Sequence, residues 1–243
     1  MKLTPTSSSV EDYVKVIYSF TEWQERPITS SQLATRLGVA NSSVSEMVRK
    51  LKAQGLVIHR PYSAVRLTEK GQALALAMVR RHRLLETYLV QELGYSWDEV
   101  HDEAELLEHA VSDTFIERMS AKLGNPSRDP HGDPIPGPDG TVVMPAAYRL
   151  SDLDAGHEGR ITRISDDNPD LLRYLSEQRI GLDSRVLVRG RKPFSPALTV
   201  AIDNGDGMKD FELGDEVSAA LWVHSSPEHA GCLLAHSAGS DRS

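Results

Sequence analysis

The clearest fold signal lies in residues 28–55, which read ITSSQLATRLGVANSSVSEMVRKLKAQG. Residues 29–31 can cap a short helix that ends at Gly38, and residues 41–43 can cap a second helix that runs to about Gln54 and stops at Gly55. A tight turn of three residues, Gly38-Val39-Ala40, joins them. A short helix, a turn with glycine and a second helix with a polar start indicate a helix-turn-helix.

The flanking residues complete a winged helix. Ser9 can cap an earlier helix in an S-x-x-D arrangement with Asp12, and apolar residues at helical spacing follow: Val10, Tyr13, Val14 and Ile17. Residues 56–58 and 64–68 have the composition of two short strands, and residues 59–63 join them. We therefore expect a wing directly after the helix-turn-helix.

Hydroxyl and charged side chains on the second helix indicate DNA as the ligand. Ser42, Ser43 and Glu46 lie near the helix start, where recognition helices reach base edges in the groove. The side chains expected to hold the phosphate backbone are Arg49, Lys52, Arg60 and Tyr62. Two alternatives stay open: some winged helices bind proteins, and charges such as Arg49 and Lys52 also occur on helix faces that only contact water.

Charge divides the chain into a basic part and an acidic part. The 243 residues carry a net charge of −8, yet residues 1–81 hold 12 Lys and Arg against 6 Asp and Glu. Residues 82–132 hold 4 against 11. Each charged part of the chain attracts ions of the opposite sign. This division therefore predicts a polyanion-binding module beside a cation-binding module.

The acidic part contains a candidate metal site. At about 100° per helical residue, four side chains share one narrow helix face, namely those of His101, Glu105, Glu108 and His109. His82 and Glu86 lie one turn apart on a preceding helix. Clustered carboxylates and imidazoles repel and lose hydration unless a cation compensates, so the pattern predicts a divalent metal site. The alternative is a solvated acidic face, but the apolar stripe of Val100, Ala104, Leu107 and Val111 borders these residues and favours partial burial.

Composition and motifs exclude several classes of protein. The single cysteine, Cys232, permits neither a disulfide framework nor a thiolate metal site within one chain. No apolar run approaches ~20 residues and no signal pattern opens the chain, so we expect a cytoplasmic protein without membrane contact. A metalloenzyme is the alternative from a different class. Helical oxidases need E-x-x-H and zinc proteases need H-E-x-x-H, whereas Leu106 lies three residues before His109, and we therefore expect no enzyme activity.

The remainder of the chain predicts a small third domain. Residues 124–147 are rich in Pro and Gly, and we interpret His131 there as a loop residue rather than a ligand. Strand candidates at 156–165, 184–191, 198–202 and 211–213 surround a helix at 169–179, which suits a small SH3-like barrel. The fold class is thus mainly α with a β wing and a C-terminal β-barrel. The expected division is 1–75 winged helix, 76–147 helical metal-binding and dimerisation domain, 148–225 SH3-like (FeoA-like) domain and 226–243 disordered tail.

The joint order of these motifs resembles the DtxR/MntR family of metal-dependent transcriptional repressors, and most of all its manganese-responsive branch with a third domain. The resemblance covers about residues 8–225 and rests on Glu11-Asp12-Tyr13, Arg81-His82-Arg83-Leu84, Val100-His101-Asp102-Glu103-Ala104, Glu108-His109 and the run at 129–137. It implies a homodimer that binds palindromic operator DNA when Mn(II) or Fe(II) is present, and so controls genes of metal homeostasis.

The resemblance also implies two metal sites. The primary site of the family corresponds to Asp12, Glu105, Glu108 and His109, and its ancillary site to His82, Glu86 and His101. Asp166, Asp167 and Asp170 cluster just before the predicted helix of the third domain, and we expect this domain to add an ancillary ligand, with Asp167 and Asp170 as the candidates. An acidic helix start favoured by the helix dipole is an equal alternative. Two-domain manganese regulators carry a further acid where this chain has Lys15, which puts their paired-ion arrangement in doubt.

Ligand chemistry favours manganese over iron. Iron-responsive members of the family place Cys or Met at the positions of Glu105 and Asp12, and both residues are carboxylates here. Soft sulfur ligands favour Fe(II) and later metals, while carboxylate and imidazole suit Mn(II). Manganese is therefore the expected cofactor. An iron- or zinc-responsive repressor is the alternative within the family, and metal titration separates the two.

Overall fold

The structure is a computed structural model that describes residues 7–24, 26–60, 63–192 and 194–225. Two compact units make up the chain. The first comprises Met1–Leu85, Ala104–Ser127 and Ile135–Val142, and the second comprises Glu86–Glu103, Arg128–Pro134 and Val143–Ser243. The predicted disordered tail at 226–243 lies outside the described residues, as does Tyr62 of the predicted DNA contacts.

The first unit contains the predicted winged helix. Its helices are α1 (Ser8–Glu22), α2 (Ser30–Leu37) and α3 (Asn41–Ala53), and the wing strands β1 (Val57–Ile58) and β2 (Arg66–Leu67) pair antiparallel. The helices pack around one apolar core formed by Val10, Tyr13, Val14, Ile17, Leu33, Val44, Val48 and Leu51. These include the apolar stripe expected on α1, so the predicted helix-turn-helix with a wing is confirmed.

The helix ends in this unit were predicted with mixed success. Thr29 caps α2 in a reciprocal box with Gln32, and Gly38 ends the helix in the left-handed region at φ 63°, where glycine has no steric penalty. The expected caps of the other two helices are wrong. The N-cap of α1 is Ser7 rather than Ser9, and that of α3 is Ala40, in both cases without a side-chain hydrogen bond.

Two helices extend from the winged helix into the acidic part of the chain. Helix α4 (Glu69–Leu93) belongs to the first unit up to Leu85, and helix α5 (Val100–Leu107) enters that unit at Ala104. Glu108 and His109 follow the end of α5, but the amide of Glu108 still donates to the Ala104 carbonyl at 2.9 Å. Helix α6 (Asp113–Lys122) follows, with Ser112 as its N-cap.

The second unit contains a six-stranded antiparallel sheet. Its strands are β3 (Tyr148–Arg149), β4 (Glu158–Ile164), β5 (Arg185–Arg191), β6 (Leu198–Asp203), β7 (Met208–Leu213) and β8 (Leu221–Ser225), in the order β3-β8-β4-β5-β6-β7. Helix α7 (Pro169–Glu177) and the short helix α8 (Asp215–Ala219) accompany the sheet. The four predicted strands and the predicted helix are present, whereas β3, β8 and α8 were not predicted.

The loop at Arg128–Pro134 in the second unit is tightly constructed. Asp129 accepts hydrogen bonds from the amides of His131 and Asp133 at 2.8 and 3.0 Å. Gly132 has φ 94°, and a Cβ atom there would lie 2.0 Å from the Thr162 carbonyl oxygen, so only glycine fits. These contacts support the backbone on both sides of His131. Among the described residues, no helix combines the length and the apolar character that crossing a bilayer requires.

Candidate metal centre

The first cluster of candidate ligands joins α1 to the end of α5, within the first unit. His109 Nε2 lies 2.7 Å from Asp12 Oδ1 and 3.6 Å from Glu108 Oε1. Asp12, Glu108 and His109 each present one ligand atom, and these three atoms lie within 4.8 Å of one another. Three of the four residues expected in the primary site therefore meet at one place.

Glu105, the fourth expected ligand, lies beside the cluster and contacts a lysine. Lys15 Nζ lies 2.5 Å from Glu105 Oε1 and 2.5 Å from Glu108 Oε1, and its side chain is only 8% exposed. The ammonium group thus supplies a positive charge between two predicted metal ligands. A divalent ion on these carboxylates would take over the same electrostatic role, because either cation offsets the repulsion between them.

His82 also contacts this first cluster. Its Nδ1 atom donates to Glu108 Oε2 at 2.7 Å, and both side chains are buried. The carboxylate of Glu108 is fully buried and accepts from both His82 and Lys15. Burial works to raise the pKa of Glu108, but the hydrogen bond from His82 and the charge of Lys15 outweigh it and hold that pKa below its ordinary value.

The electrostatics of the cluster favour bound cations. Burial opposes a charged His109, yet its hydrogen bonds to Glu11 and Asp12 outweigh that cost and raise the pKa of the imidazole. Burial likewise works against a charged Lys15, and the nearby Glu108 and Glu105 carboxylates raise its pKa. Each positive group is thus held by anionic neighbours. The donor set of carboxylate oxygens and imidazole nitrogen is the set that suits a hard divalent ion.

A second cluster lies entirely within the second unit. His101 Nδ1 lies 3.5 Å from Glu86 Oε1 and 3.4 Å from Asp166 Oδ2. Glu86, His131 and Asp166 present ligand atoms within 4.8 Å of one another. Burial disfavours a charged His101, but Asp166 and Glu86 outweigh it and raise the pKa of that imidazole far above its ordinary value. Two carboxylates and two imidazoles converge here.

The orientation of His131 fits a metal ligand. Its Nε2 atom lies 2.7 Å from the Trp97 carbonyl oxygen, which can only accept, so Nε2 carries the proton in the neutral ring. Its Nδ1 atom is buried, has no hydrogen-bond partner among the described residues and lies 3.9 Å from Glu86 Oε2. A lone pair turned toward a carboxylate is unfavourable unless a cation lies between them. The cluster therefore has the chemistry and the orientation of a cation site.

Two of the expected ancillary ligands, Asp167 and Asp170, have other partners in the structure. His82 donates to Glu108 in the first unit, and its expected place with Glu86 and His101 in the ancillary site stays a prediction. Asp166 contacts His101, whereas Asp167 accepts from Ser165 Oγ at 3.0 Å and Asp170 pairs with Arg173 at the start of α7. The alternative of an acidic helix start thus describes Asp170 better.

His131 is the residue that the sequence analysis missed as a candidate ligand. It does lie in a loop, as expected, but its side chain is fully buried beside Glu86. The signal that could have found it is the run Asp129-Pro130-His131-Gly132-Asp133, because a histidine between two aspartates beside an essential glycine indicates a fixed loop. Its partners lie 45 and 35 residues away in the sequence, so no local spacing links the three residues.

The predicted DNA contacts that the structure describes are all exposed. Ser42, Ser43, Glu46, Arg49 and Lys52 are exposed on α3, while Val44, Val48 and Leu51 on the same helix are buried in the core. Arg60 is exposed after β1, where its amide donates a hydrogen bond to the Ser63 hydroxyl oxygen at 3.0 Å. The polar face of α3 is therefore free of the core and available to a ligand.

Models of three domain families match successive parts of the chain. The N-terminal DNA-binding domain of iron-dependent repressors matches residues 5–65, and the metal-binding and dimerisation domain of the same repressors matches residues 68–137. The FeoA domain matches residues 148–225. Together the three models follow the order of winged helix, acidic helices and β-rich unit seen in the structure.

Individual proteins give the same result. The iron-dependent repressor IdeR of Mycobacterium leprae is 32% identical over 206 residues, which cover 80% of this chain and 87% of that repressor. A solved manganese-dependent transcriptional repressor in complex with manganese is 53% identical, with a TM-score of 0.85 over 89% of this chain and 100% of the other. The manganese regulator SloR is 32% identical, with a TM-score of 0.75 over 92% and 100%.

Proposed function

The chain belongs to the iron-dependent repressor (DtxR/MntR) family of transcriptional regulators, and from this membership we propose that it is a manganese-dependent repressor. It binds palindromic operator DNA as a metal-loaded homodimer and controls genes of metal-ion homeostasis in the cytoplasm. It is not an enzyme. Under this proposal residues 1–75 bind DNA, residues 76–147 bind metal and dimerise, and residues 148–225 form the third domain.

The observation that carries this proposal is the double role of α1. One face of the helix packs into the same core as the buried face of α3, through Val14 and Val48 among others. Another face presents Asp12 to His109 at 2.7 Å. A change at the metal ligands is therefore passed directly to the helix that supports the DNA-binding surface.

The primary ligands in this proposal are Asp12, Glu105, Glu108 and His109. A bound divalent ion supplies positive charge that holds their carboxylates together. Asp12 contributes from α1 and the other three from the region around the end of α5. His82 keeps the Glu108 carboxylate in place through its 2.7 Å hydrogen bond. Lys15 balances Glu105 and Glu108 in the metal-free chain.

The second cluster is the proposed ancillary site. We assign its ligands as Glu86, His131 and Asp166, with His101 as a further donor, and Asp166 takes the place of the expected Asp167 and Asp170. His82, one helical turn before Glu86 on α4, stays a candidate ligand as expected. The support is the buried Nδ1 of His131, which faces Glu86 while its Nε2 is held by the Trp97 carbonyl. Four nitrogen and oxygen donors from four separate segments converge in this cluster.

Manganese is the proposed metal because every ligand in both clusters is a carboxylate or an imidazole. Mn(II) is the weakest binder in the stability series, so a site that selects it needs hard ligands and no sulfur. Fe(II) is the second candidate, favoured by the similarity to the iron-dependent repressor of Mycobacterium leprae. A cysteine in place of a carboxylate ligand distinguishes the two metals, because a thiolate should weaken the response to Mn(II) and strengthen the response to Fe(II).

The proposed DNA surface consists of the groove-facing and backbone-facing side chains described above. Ser42, Ser43 and Glu46 are assigned to base edges, and Arg49, Lys52, Arg60 and Tyr62 to phosphates. Their exposure on α3 and the wing supports the assignment for all but Tyr62, which lies outside the described residues. Neutralised phosphates release counterions, so affinity for DNA should fall as salt concentration rises.

Anaerobic DNA-binding titrations of the parent chain and of Glu105→Cys test the function and the metal together. The DNA is a sequence selected from a random pool by the Mn(II)-loaded protein. We expect the parent to bind more tightly with Mn(II) than with chelator, and Glu105→Cys to respond less to Mn(II) and more to Fe(II), because a thiolate favours the softer ion. His109→Ala is the control, since it should weaken the response to every metal. An unchanged ranking of Mn(II) and Fe(II) in Glu105→Cys would remove the support for manganese.

A further inference from the structure

Two consecutive acidic residues of α1 hold the two nitrogens of one imidazole. Asp12 Oδ1 lies 2.7 Å from His109 Nε2, and Glu11 Oε2 lies 2.8 Å from His109 Nδ1. The side chains of Glu11 and His109 are 16% and 24% exposed. Asp12 has a role as a primary ligand, but neither the sequence analysis nor the ligand set assigns one to Glu11.

We propose that Glu11 is a positioning residue of the primary metal site, which acts through His109 and not through contact with the ion. Its carboxylate accepts the Nδ1 hydrogen of His109, fixes the plane of the ring and leaves Nε2 as the only nitrogen available to a metal. The proposal rests on the proposed function, because it concerns the same metal site.

The distances identify Nε2 as the ligand atom. Nε2 faces the other candidate ligands, at 2.7 Å from Asp12 and 3.6 Å from Glu108 Oε1. Nδ1 faces Glu11, on the other side of the ring. The lone pair of each imidazole nitrogen lies in the ring plane and points away from the other, so one ion cannot use both. Glu11 therefore decides which nitrogen is turned to the ion.

Glu11 contributes to metal affinity in two physical ways. Metal-bound histidines commonly donate their second N–H to a carboxylate, which fixes the ring orientation and makes the other nitrogen a stronger donor. Loss of such a partner typically weakens metal binding about 10- to 100-fold. In addition, α1 presents Glu11 and Asp12 side by side, so one rigid helix sets both the ligand and the group that orients its neighbour.

The competing explanation is that Glu11 is only an acid in the first turn of a helix, where the helix dipole favours negative charge. Glu69 provides the matched comparison, because it is an exposed acid in the first turn of α4. A dipole effect would be similar at both positions and would change stability alone. A positioning role requires an effect on metal affinity at Glu11 and none at Glu69.

The test measures Mn(II) affinity by electron paramagnetic resonance of free Mn(II), for the full-length parent, Glu11→Gln and Glu69→Gln. We expect Glu11→Gln to bind the primary ion about 10- to 100-fold more weakly and Glu69→Gln to bind as the parent does. In a His109→Ala background, Glu11→Gln should cause no further loss, because the residue acts through the ring. Glu11→Asp keeps the charge at shorter reach and gives an intermediate loss, and this comparison serves if the glutamine variant fails to fold.

A spectroscopic readout separates positioning from stability. Nitrogen-15 correlation spectra of the Zn(II)-loaded parent should show His109 metal-bound at Nε2 and protonated at Nδ1. A parent chain that binds Mn(II), combined with an unchanged affinity in Glu11→Gln or with Zn(II) on Nδ1, would overturn this proposal alone. A parent chain that binds no Mn(II) would overturn the proposed function and this proposal with it.

Discussion

Lys15 is the residue whose position bears most directly on metal binding. Its ammonium group occupies the space between Glu105 and Glu108, which are both proposed ligands. The charge of a bound ion would make that ammonium group redundant. The lysine therefore has two opposite effects: it stabilises the chain without metal and competes with metal for the same carboxylates.

Lys15→Gln tests both effects at once. Removal of one partner from a buried ion pair costs about 3–5 kcal/mol, and the partial exposure of Glu105 places this case toward the lower end. We expect a lower free energy of unfolding in chelator and a tighter affinity for Mn(II), measured by denaturant titration and by calorimetry. Lys50→Gln makes the same charge change on the exposed face of α3 and should alter neither quantity. Weaker Mn(II) binding in Lys15→Gln would mean that the lysine supports the ion instead of competing with it.

The pKa of His109 gives the site a defined pH dependence. Burial lowers this pKa, but Glu11 and Asp12 outweigh burial and raise it above the ordinary value of 6.5. A raised histidine pKa stabilises the folded metal-free chain below pH 6.5, and that contribution disappears as pH rises through the raised value. Mn(II) needs the neutral ring, so its binding should weaken as pH falls through the same raised value.

Thermal unfolding across pH, in chelator and in Mn(II), measures the two effects. We expect the stabilisation by Mn(II) to grow with pH over a range that begins above 6.5, and the contribution of His109 in chelator to shrink over the same range. His109→Ala should remove both trends. A stabilisation by Mn(II) that begins to fall only below pH 6.5 would contradict the influence of Glu11 and Asp12 on the ring.

At the scale of elements, local patterns predicted the helices and strands better than they predicted the sites. The box of Thr29 and Gln32 and the left-handed Gly38 lie within ten residues, so the sequence alone could place α2. His101 and Glu105, which were predicted on one narrow helix face, both lie on α5, whereas Glu108 and His109 follow its end. The fold nevertheless divides that face, because Glu105 joins the first cluster and His101 joins Glu86 and Asp166 in the other unit.

The ancillary ligands could not be found from spacing, because three different elements supply them. Glu86 comes from α4, His131 from the loop before β3, and Asp166 from the turn between β4 and α7. No periodicity connects these positions. Asp166 and Asp167 are neighbours of the same residue type, so the sequence alone does not show that the fold places Asp166 beside His101. Lys15 was noticed from the sequence, but its contact with two ligands depends on the packing of α1.

Asp166→Asn tests the second cluster, and Asp167→Asn is the matched control. Replacement of the Asp166 carboxylate removes an anionic oxygen donor from a site of hard ligands, so the number of Mn(II) ions per chain should fall. The control should keep the parent stoichiometry, because Asp167 accepts a hydrogen bond from Ser165 in the structure and is not one of the ligands assigned to the second cluster. Metal analysis after dialysis against limiting Mn(II) gives the count. Equal stoichiometry in all three proteins would rule out Asp166 as a ligand.

At the scale of the whole molecule, the distribution of charge matches the proposed roles, with a basic DNA-binding part and an acidic metal-binding part. The basic residues of the first 81 positions accompany the exposed face of α3, and the acidic residues of positions 82–132 supply Glu86, Glu105 and Glu108. Helix α1 joins the two parts within the first unit, with Asp12 beside His109 and Val14 in the core shared with α3. The central claim is that metal binding affects the DNA-binding surface through α1, which carries the ligand Asp12 and shares a core with α3.

The most direct test compares DNA affinity in chelator and in saturating Mn(II), for the parent chain and for Asp12→Ala. A coupling of about 1 to 3 kcal/mol predicts an increase of roughly 5- to 150-fold in the parent. Asp12→Ala should lose most of this increase while Glu105, Glu108 and His109 still bind Mn(II), because only the link to α1 is removed. Equal DNA affinity with and without Mn(II) in the parent, or a full increase in Asp12→Ala, would contradict the account.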